Sequence, residues 1–148
     1  MDAPKKHKHK VLIQGPVSPA FIAESISKHS TKTEIGAHAI FLGQIRYDNN
    51  VVAIDYSAYN DMAEETFHTI REAAFSKYPI VCMHIYHSIG LVKTGEISLF
   101  VFVSCKHREK SFEALQYIVE EIKAHAPVWK KELFADGTHQ WVEEKTIK

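Results

Sequence analysis

Residues 80–105 decide the fold: "IVCMHIYHSIG" (80–90), the link "LVKT" (91–94) and "GEISLFVFVSC" (95–105). Both long runs are rich in β-branched and aromatic residues, and Gly90 and Gly95 bracket the link with the backbone freedom a turn needs. The pattern predicts an antiparallel pair of strands. The second run, "GEISLFVFVSC", is apolar on both faces, as expected of a central strand with other layers packed above and below it.

The covering layers are also legible. From Glu109 onward Phe112, Leu115, Val119 and Ile122 recur at helical spacing, and the pattern stops near His125 because Pro127 drives Ala126 out of the helical region. Upstream, Ala63, Phe67, Ile70 and Ala74 mark a second amphipathic helix, with Asn60 as its expected cap and Pro79 beyond its end. "SPAFIAESISKHS" (18–30) predicts a third, capped by Ser18 with Pro19 at the first helical position. Strands are expected in "KVLIQG" (10–15), on either side of the "YDNN" turn (47–50), and as a hairpin around Asp136 and Gly137 in "KELFADGTHQWVEE" (131–144). Sheet and helix in this order give an α+β class. Residues 11–148 read as one domain behind a loose, basic tail at 1–10.

Composition narrows the function. The 148 residues carry 18 basic and 18 acidic side chains, a balance that argues against a broad nucleic-acid surface but permits a local positive site. No apolar run is long enough to span a bilayer, and "MDAPKKHKHK" leads only into the short "VLIQGPV" rather than a secretory core, so a cytoplasmic protein is expected. Cys82 and Cys105 form no CxxC pair and read as reduced thiols. His7 and His9 lack a matching ligand cluster, and His38, His84 and His87 lie in strands without HExxH spacing, so packing and solvated roles outweigh metal binding. Neither a metal nor a cofactor is implied.

Two cationic concentrations stand out. Lys123 follows Ile122 at the border of a buried helix face, and Lys130 and Lys131 come just after the Pro127–Trp129 corner. On spacing alone the plainer reading weighs more: Lys123 pairs with Glu120 and complements the helix dipole, and Glu132 neutralises the lysine pair. Lys106, His107 and Arg108 sit between the central strand and the next helix, where free backbone N–H groups and a guanidinium fork suit a phosphate. Cys105 beside them invites a nucleophile reading, but period-2 alternation puts it on the face of Val101 and Val103 as a small buried side chain. Spacing leads to an anion-binding α+β domain with lysines suited to proton transfer.

In their order along the chain, "GAHAIFLGQIR" (36–46), "AYNDMAEE" (58–65), "YHSIGLVKTGE" (86–96), "SCKHREKSFEAL" (104–115) and "IKAHAPVWKKELFADGTHQW" (122–141) resemble the catalytic subunits of molybdopterin synthase, the MoaE family. The resemblance implies an α/β-hammerhead fold with antiparallel sheets and a homodimer carrying a ubiquitin-like small subunit at each outer end. It also implies an activity: conversion of cyclic pyranopterin monophosphate to molybdopterin, with the dithiolene sulfurs taken from a thiocarboxylate on the small subunit's tail. Lys123 and Lys130 match the family's catalytic lysines. Arg46, His107 and Arg108 match its substrate-binding positions, and Gln44, Ile45, Lys131 and Glu132 complete the matching stretches. Ser88 stands where the family often has arginine, and Gln44 where some members have lysine. A rival reading from another class is a non-catalytic adaptor that uses the same basic pocket to bind a ubiquitin-like tail or a phosphorylated ligand. The presence of both lysines favours the enzyme.

Overall fold

Along residues 10–142, which the computed structural model describes, the elements run β1 (Leu12–Gln14), α1 (Pro19–Ser27), β2 (Ala37–Gln44), β3 (Val51–Ala58), α2 (Asn60–Lys77), β4 (Ile80–Lys93), β5 (Ile97–Cys105), α3 (Arg108–His125), β6 (Val128–Phe134) and β7 (His139–Trp141). The tail expected at residues 1–10 falls, except for Lys10, outside the described residues.

Strand β4 joins two antiparallel sub-sheets. Ile80 to His87 pairs with β5, and β5 in turn with β2. Ala53 to Tyr56 of β3 pairs with residues 90–93 of β4, and the sheet continues through β6 to β7. At the changeover Gly90 takes φ +85°, a conformation that L side chains avoid, and a Cβ there would collide with the Gln14 side chain. Among the described residues β1 is the one parallel member, lying along residues 87–89 of β4. The outer edge of β1 is held by Glu64 of α2, whose carboxylate accepts the N–H groups of Val11 and Leu12, both at 2.9 Å.

Three apolar layers follow from strand alternation. Val101, Val103 and Cys105 of β5, with Met83 and Ile85 of β4, face Phe67, Ile70 and Ala74 of α2 and Ala114, Ile118 and Ile122 of α3. Phe100 and Phe102 point the other way, where Ile22 and Val17 cover them. A smaller cluster of Ile45, Val51, Ile54, Tyr56 and Val92 belongs to the second sub-sheet. The central position expected of β5 is observed: all but its first residue are buried.

Several sequence expectations are corrected. "LVK" is not a link but the end of β4, because Leu91 to Lys93 pair with Ala53 to Asp55; the turn is only Thr94 to Glu96. The strands flanking "YDNN" are joined by it yet do not pair, being separated by β5 and β4. Asn49 and Asn50 adopt the positive φ a sharp reversal needs, 52° and 66°. Asn60 is the first helical residue of α2, with Tyr59 in the cap position and no side-chain cap bond. On α3 the buried stripe is Ser111, Ala114, Ile118 and Ile122, while Phe112 is 62% exposed. Small side chains in the first turns let the helix approach the sheet, and a phenylalanine in that stripe would hold it off. Ser18 caps α1 as expected, its Oγ accepting from the N–H of Phe21 at 3.1 Å.

Candidate active site

Where α3 ends, Ala126 takes an extended conformation (φ −65°, ψ 124°) ahead of Pro127, and the chain turns directly into β6. The turn closes one side of a cavity of about 830 Å³. Its walls come from the end of β2 with the segment after it, the inner face of β3, the C-terminus of α3 and one face of β6.

Strand and helix geometry decide which cationic groups meet there. Lys123 and His125 arrive from the last turn of α3, and Lys130 and Glu132 from alternate positions of β6. Gln44, Ile45 and Arg46 come from the far side. The pairing of β2 with β5 shifts register at Gly43/Gln44, a bulge that turns the chain into this corner. Ile45 is then fixed by its backbone, donating to the Glu96 carbonyl at 2.9 Å and accepting from the Gly95 N–H at 2.8 Å, while its side chain is buried in the second core cluster. Gln44 and Arg46 on either side are exposed, and Arg46 pairs with Asp48 at 3.2 Å.

Three of the residues singled out from the sequence lie elsewhere. Lys131 falls between Lys130 and Glu132 on β6, so alternation sends it to the opposite face, 3.9 Å from Asp55 and 5.5 Å over the Trp141 ring. His107 and Arg108 are exposed at the start of α3, fifteen residues from Lys123 and so roughly 22 Å away at 1.5 Å per residue. Within one chain α3 carries its two basic clusters at opposite ends.

The floor of the cavity includes residues to which sequence reasoning gave no chemical role. Tyr56 is buried and donates its hydroxyl to Ser98 Oγ at 3.0 Å, and burial raises its pKa. His87, expected only to pack, lines the cavity with 8% of its surface exposed. Its Nδ1 donates to the Ser88 carbonyl at 2.8 Å. Burial drives its pKa down to about 4; the bond to Ser88 opposes the shift and the charges of Lys130 and Lys123 add to it. A neutral imidazole therefore lies beneath the two lysines. The signal in the sequence is the "YHSIG" motif, which carries His87.

Cys105 is fully buried on the α2–α3 side, and burial raises its thiol pKa, the reverse of what an activated nucleophile needs. Among the described residues no group of three or more His, Cys, Asp or Glu is placed to hold a metal ion. No helix among them is long and apolar enough to cross a membrane.

Fold and site together define an α+β protein with a basic cavity at a helix-to-strand turn, its lysines set over a neutral histidine floor. The family described as MoaE protein matches residues 15–125, and the chain belongs to that family. It is 40% identical over 125 residues to the molybdopterin synthase catalytic subunit of Pyrococcus abyssi, covering 82% of this chain and 83% of that protein. The crystal structure of molybdopterin synthase from Staphylococcus aureus superposes with a TM-score of 0.80 at 28% identity, over 93% of this chain and 99% of that one. In the complex of subunits 1 and 2 of molybdopterin-converting factor from Helicobacter pylori, a chain matches with a TM-score of 0.79 at 22% identity, over 92% of this chain and 91% of that one, which shows a shared fold.

Proposed function

We propose that this chain is a catalytic subunit of molybdopterin synthase: a cytoplasmic sulfurtransferase, with one catalytic domain over residues 11–148, that converts cyclic pyranopterin monophosphate to molybdopterin. The sulfur donor is the thiocarboxylated tail of a ubiquitin-like small subunit. The observation that carries this reading is the convergence of Lys123 and Lys130, from two different elements, on one cavity that also takes Gln44 and Arg46. In that space the thiocarboxylate sulfur bonds to a side-chain carbon of the pterin as that carbon gives up an oxygen substituent, and water then cleaves the resulting thioester, leaving the sulfur on the pterin and a carboxylate on the small subunit's tail. Lys123 and Lys130 move protons at the reacting carbons and oppose the negative charge that builds as the cyclic phosphate opens. Arg46 and Gln44 hold phosphate oxygens at the rim.

The separation of His107 and Arg108 from this cavity gives the homodimer a purpose. Both match substrate-binding positions, yet a substrate in the cavity of their own chain is beyond their reach. In a closed two-fold dimer each chain can offer the start of its α3 to its partner's cavity, where the helix N-terminus and Arg108 would grip phosphate. Lys131, on the outer face with Trp141, is assigned to contact with the small subunit rather than with the pterin.

The test is to mix the protein with a thiocarboxylated small subunit and cyclic pyranopterin monophosphate and to look for dithiolene product. Turnover supports the enzyme. Tight binding of both without product would instead support the non-catalytic adaptor.

A further inference from the structure

We propose that the floor of the cavity recognises the uncharged heterocyclic end of the substrate: Ser98 Oγ donates a hydrogen bond to a ring carbonyl, and His87 Nε2 accepts one from the neighbouring ring N–H. Resting on the reading of the cavity as the pterin site, this assignment adds two specificity-determining residues to it, with Tyr56 as the residue that positions one of them.

Hydrogen-bond valence fixes what each group can offer. Tyr56 of β3 reaches across β4, opposite Gly90, and donates its hydroxyl to Ser98 Oγ of β5 at 3.0 Å. With a lone pair so engaged, the Ser98 proton is left to donate, and no described residue accepts it. Nδ1 of His87 faces the Ser88 carbonyl, which only accepts, so Nδ1 carries the proton and Nε2 of the neutral ring keeps its lone pair. No described residue donates to that nitrogen. Ring contacts fix the imidazole: Tyr56 meets it edge-on at 5.1 Å and Phe67 lies 6.0 Å away. Tyr56 therefore holds the two groups near each other, bonding to one and packing on the other. Ser98 is 5% and His87 8% exposed, and both line the cavity. One donor and one acceptor, each more than nine-tenths buried, thus meet the same space with a free valence among the described residues.

Charge sorts the ligand along the cavity. Lys123, Lys130, Arg46 and Asp48 line it from exposed positions, whereas Tyr56, His87 and Ser98 are buried and uncharged. An ion carried down to these three would lose hydration that nothing there replaces, while a neutral amide-like edge exchanges its bonds to water for equivalent ones. Cyclic pyranopterin monophosphate has both kinds of end: a cyclic phosphate suited to the exposed cations, and a pyrimidinone ring whose adjacent N–H and C=O match one acceptor and one donor. A ligand lacking that edge would leave both floor groups unpaired, which is how a buried polar site discriminates. A peptide unit of the small subunit's tail carries the same two groups, but the tail reacts through its terminal atom. Laid on the floor, the tail would carry that atom past the lysines; entering from the mouth, it brings the atom to them.

Two probes binding to the intact chain test the assignment: cyclic pyranopterin monophosphate, and trimethylene cyclic phosphate, which has the anionic end alone. Affinities are measured by calorimetry for the unmodified protein, Ser98→Ala, His87→Phe and the double variant Tyr56→Phe, Ser98→Ala. The double variant leaves no buried hydroxyl orphaned, so it keeps the fold even if Ser98→Ala does not. Each variant should bind the pterin roughly tenfold more weakly, the worth of one buried hydrogen bond, and the cyclic phosphate as before. Equal losses for both probes, or no loss for either, would overturn the proposal. So would weaker association with the small subunit at unchanged pterin affinity, which would give the floor to the tail's peptide. Failure of the unmodified chain to bind the pterin would overturn it as well. The functional reading is decided separately, by turnover with the thiocarboxylated small subunit: a chain that binds the pterin through this floor yet makes no product keeps the inference and loses the enzyme.

Discussion

The two ends of α3 carry similar chemistry in opposite settings. At its start Lys106, His107 and Arg108 are exposed, and the free N–H groups of the first turn add a positive field. At its finish Lys123 and His125 lie where the helix presents carbonyl groups, a placement the dipole favours, and Pro127 folds the chain back so that β6 and the segment after β2 enclose them. One end is enclosed by its own chain, and the other is exposed. Cationic residues at a helix terminus thus acquire a role from what the next segment does, not from the helix alone.

Breaking the enclosed end should have the largest effect. Lys123→Ala is expected to remove most product formation, a loss of at least about a hundredfold in kcat for a group engaged in proton transfer. Thermal stability should stay within about 0.5 kcal/mol because the side chain is exposed. Product formation at the normal rate would show that the enclosed end is not catalytic.

Breaking the open end should cost less and should be repairable. Arg108→Ala is expected to weaken pterin binding by roughly ten- to hundredfold while leaving small-subunit association intact. If the start of α3 serves the partner's cavity, mixing Arg108→Ala with Lys123→Ala regenerates one sound site in each mixed dimer, and activity returns to about a quarter of normal for random pairing in a two-fold assembly. No recovery on mixing would place both clusters in service of a single chain.

The buried floor of the enclosed end predicts a pH dependence that the open end lacks. His87 has a pKa of about 4 when folded against an ordinary 6.5, so between these values the unfolded chain binds a proton that the folded chain refuses. Its contribution is complete above pH 6.5 and is lost as pH falls toward 4, for a total of about 3 kcal/mol. His38, whose pKa burial also lowers, acts in the same direction. Urea denaturation at several pH values should show stability falling across this window, with a shallower slope in His87→Gln. An unchanged slope would remove His87 as its source.

The smallest effect belongs to the thiols. Cys105 precedes the open cluster in sequence but points into the core, so the Cys82→Ala, Cys105→Ala double variant should keep substantial activity with a thiocarboxylated partner and lose only about 1–2 kcal/mol of stability. Complete loss of turnover in the folded double variant would move the nucleophile onto this chain.

What could be read from the sequence was whatever local physics fixes. Proline ended α3, serine and proline started α1, runs of β-branched and aromatic residues marked β4 and β5, and an apolar run on both faces placed β5 at the centre. Spacing alone favours surface ion pairs for Lys123 and Lys130, and only the resemblance puts them in one site, although a helix end, a proline corner and a strand lie within eight residues of each other. Partner choice is another matter, because it depends on contacts between distant segments. Only the tertiary structure decided that the strands around "YDNN" stay apart, that β4 runs on through Gly90 into a second sub-sheet, and that Phe112 yields the buried stripe to Ser111 and Ala114. It also decided the site's membership: alternation along β6 divides Lys130 from Lys131, the length of α3 carries Arg108 away from Lys123, and long-range packing sets His87 beneath the lysines. Sequence determines which groups are near along the chain, and folding across the sheet determines which of them face one space.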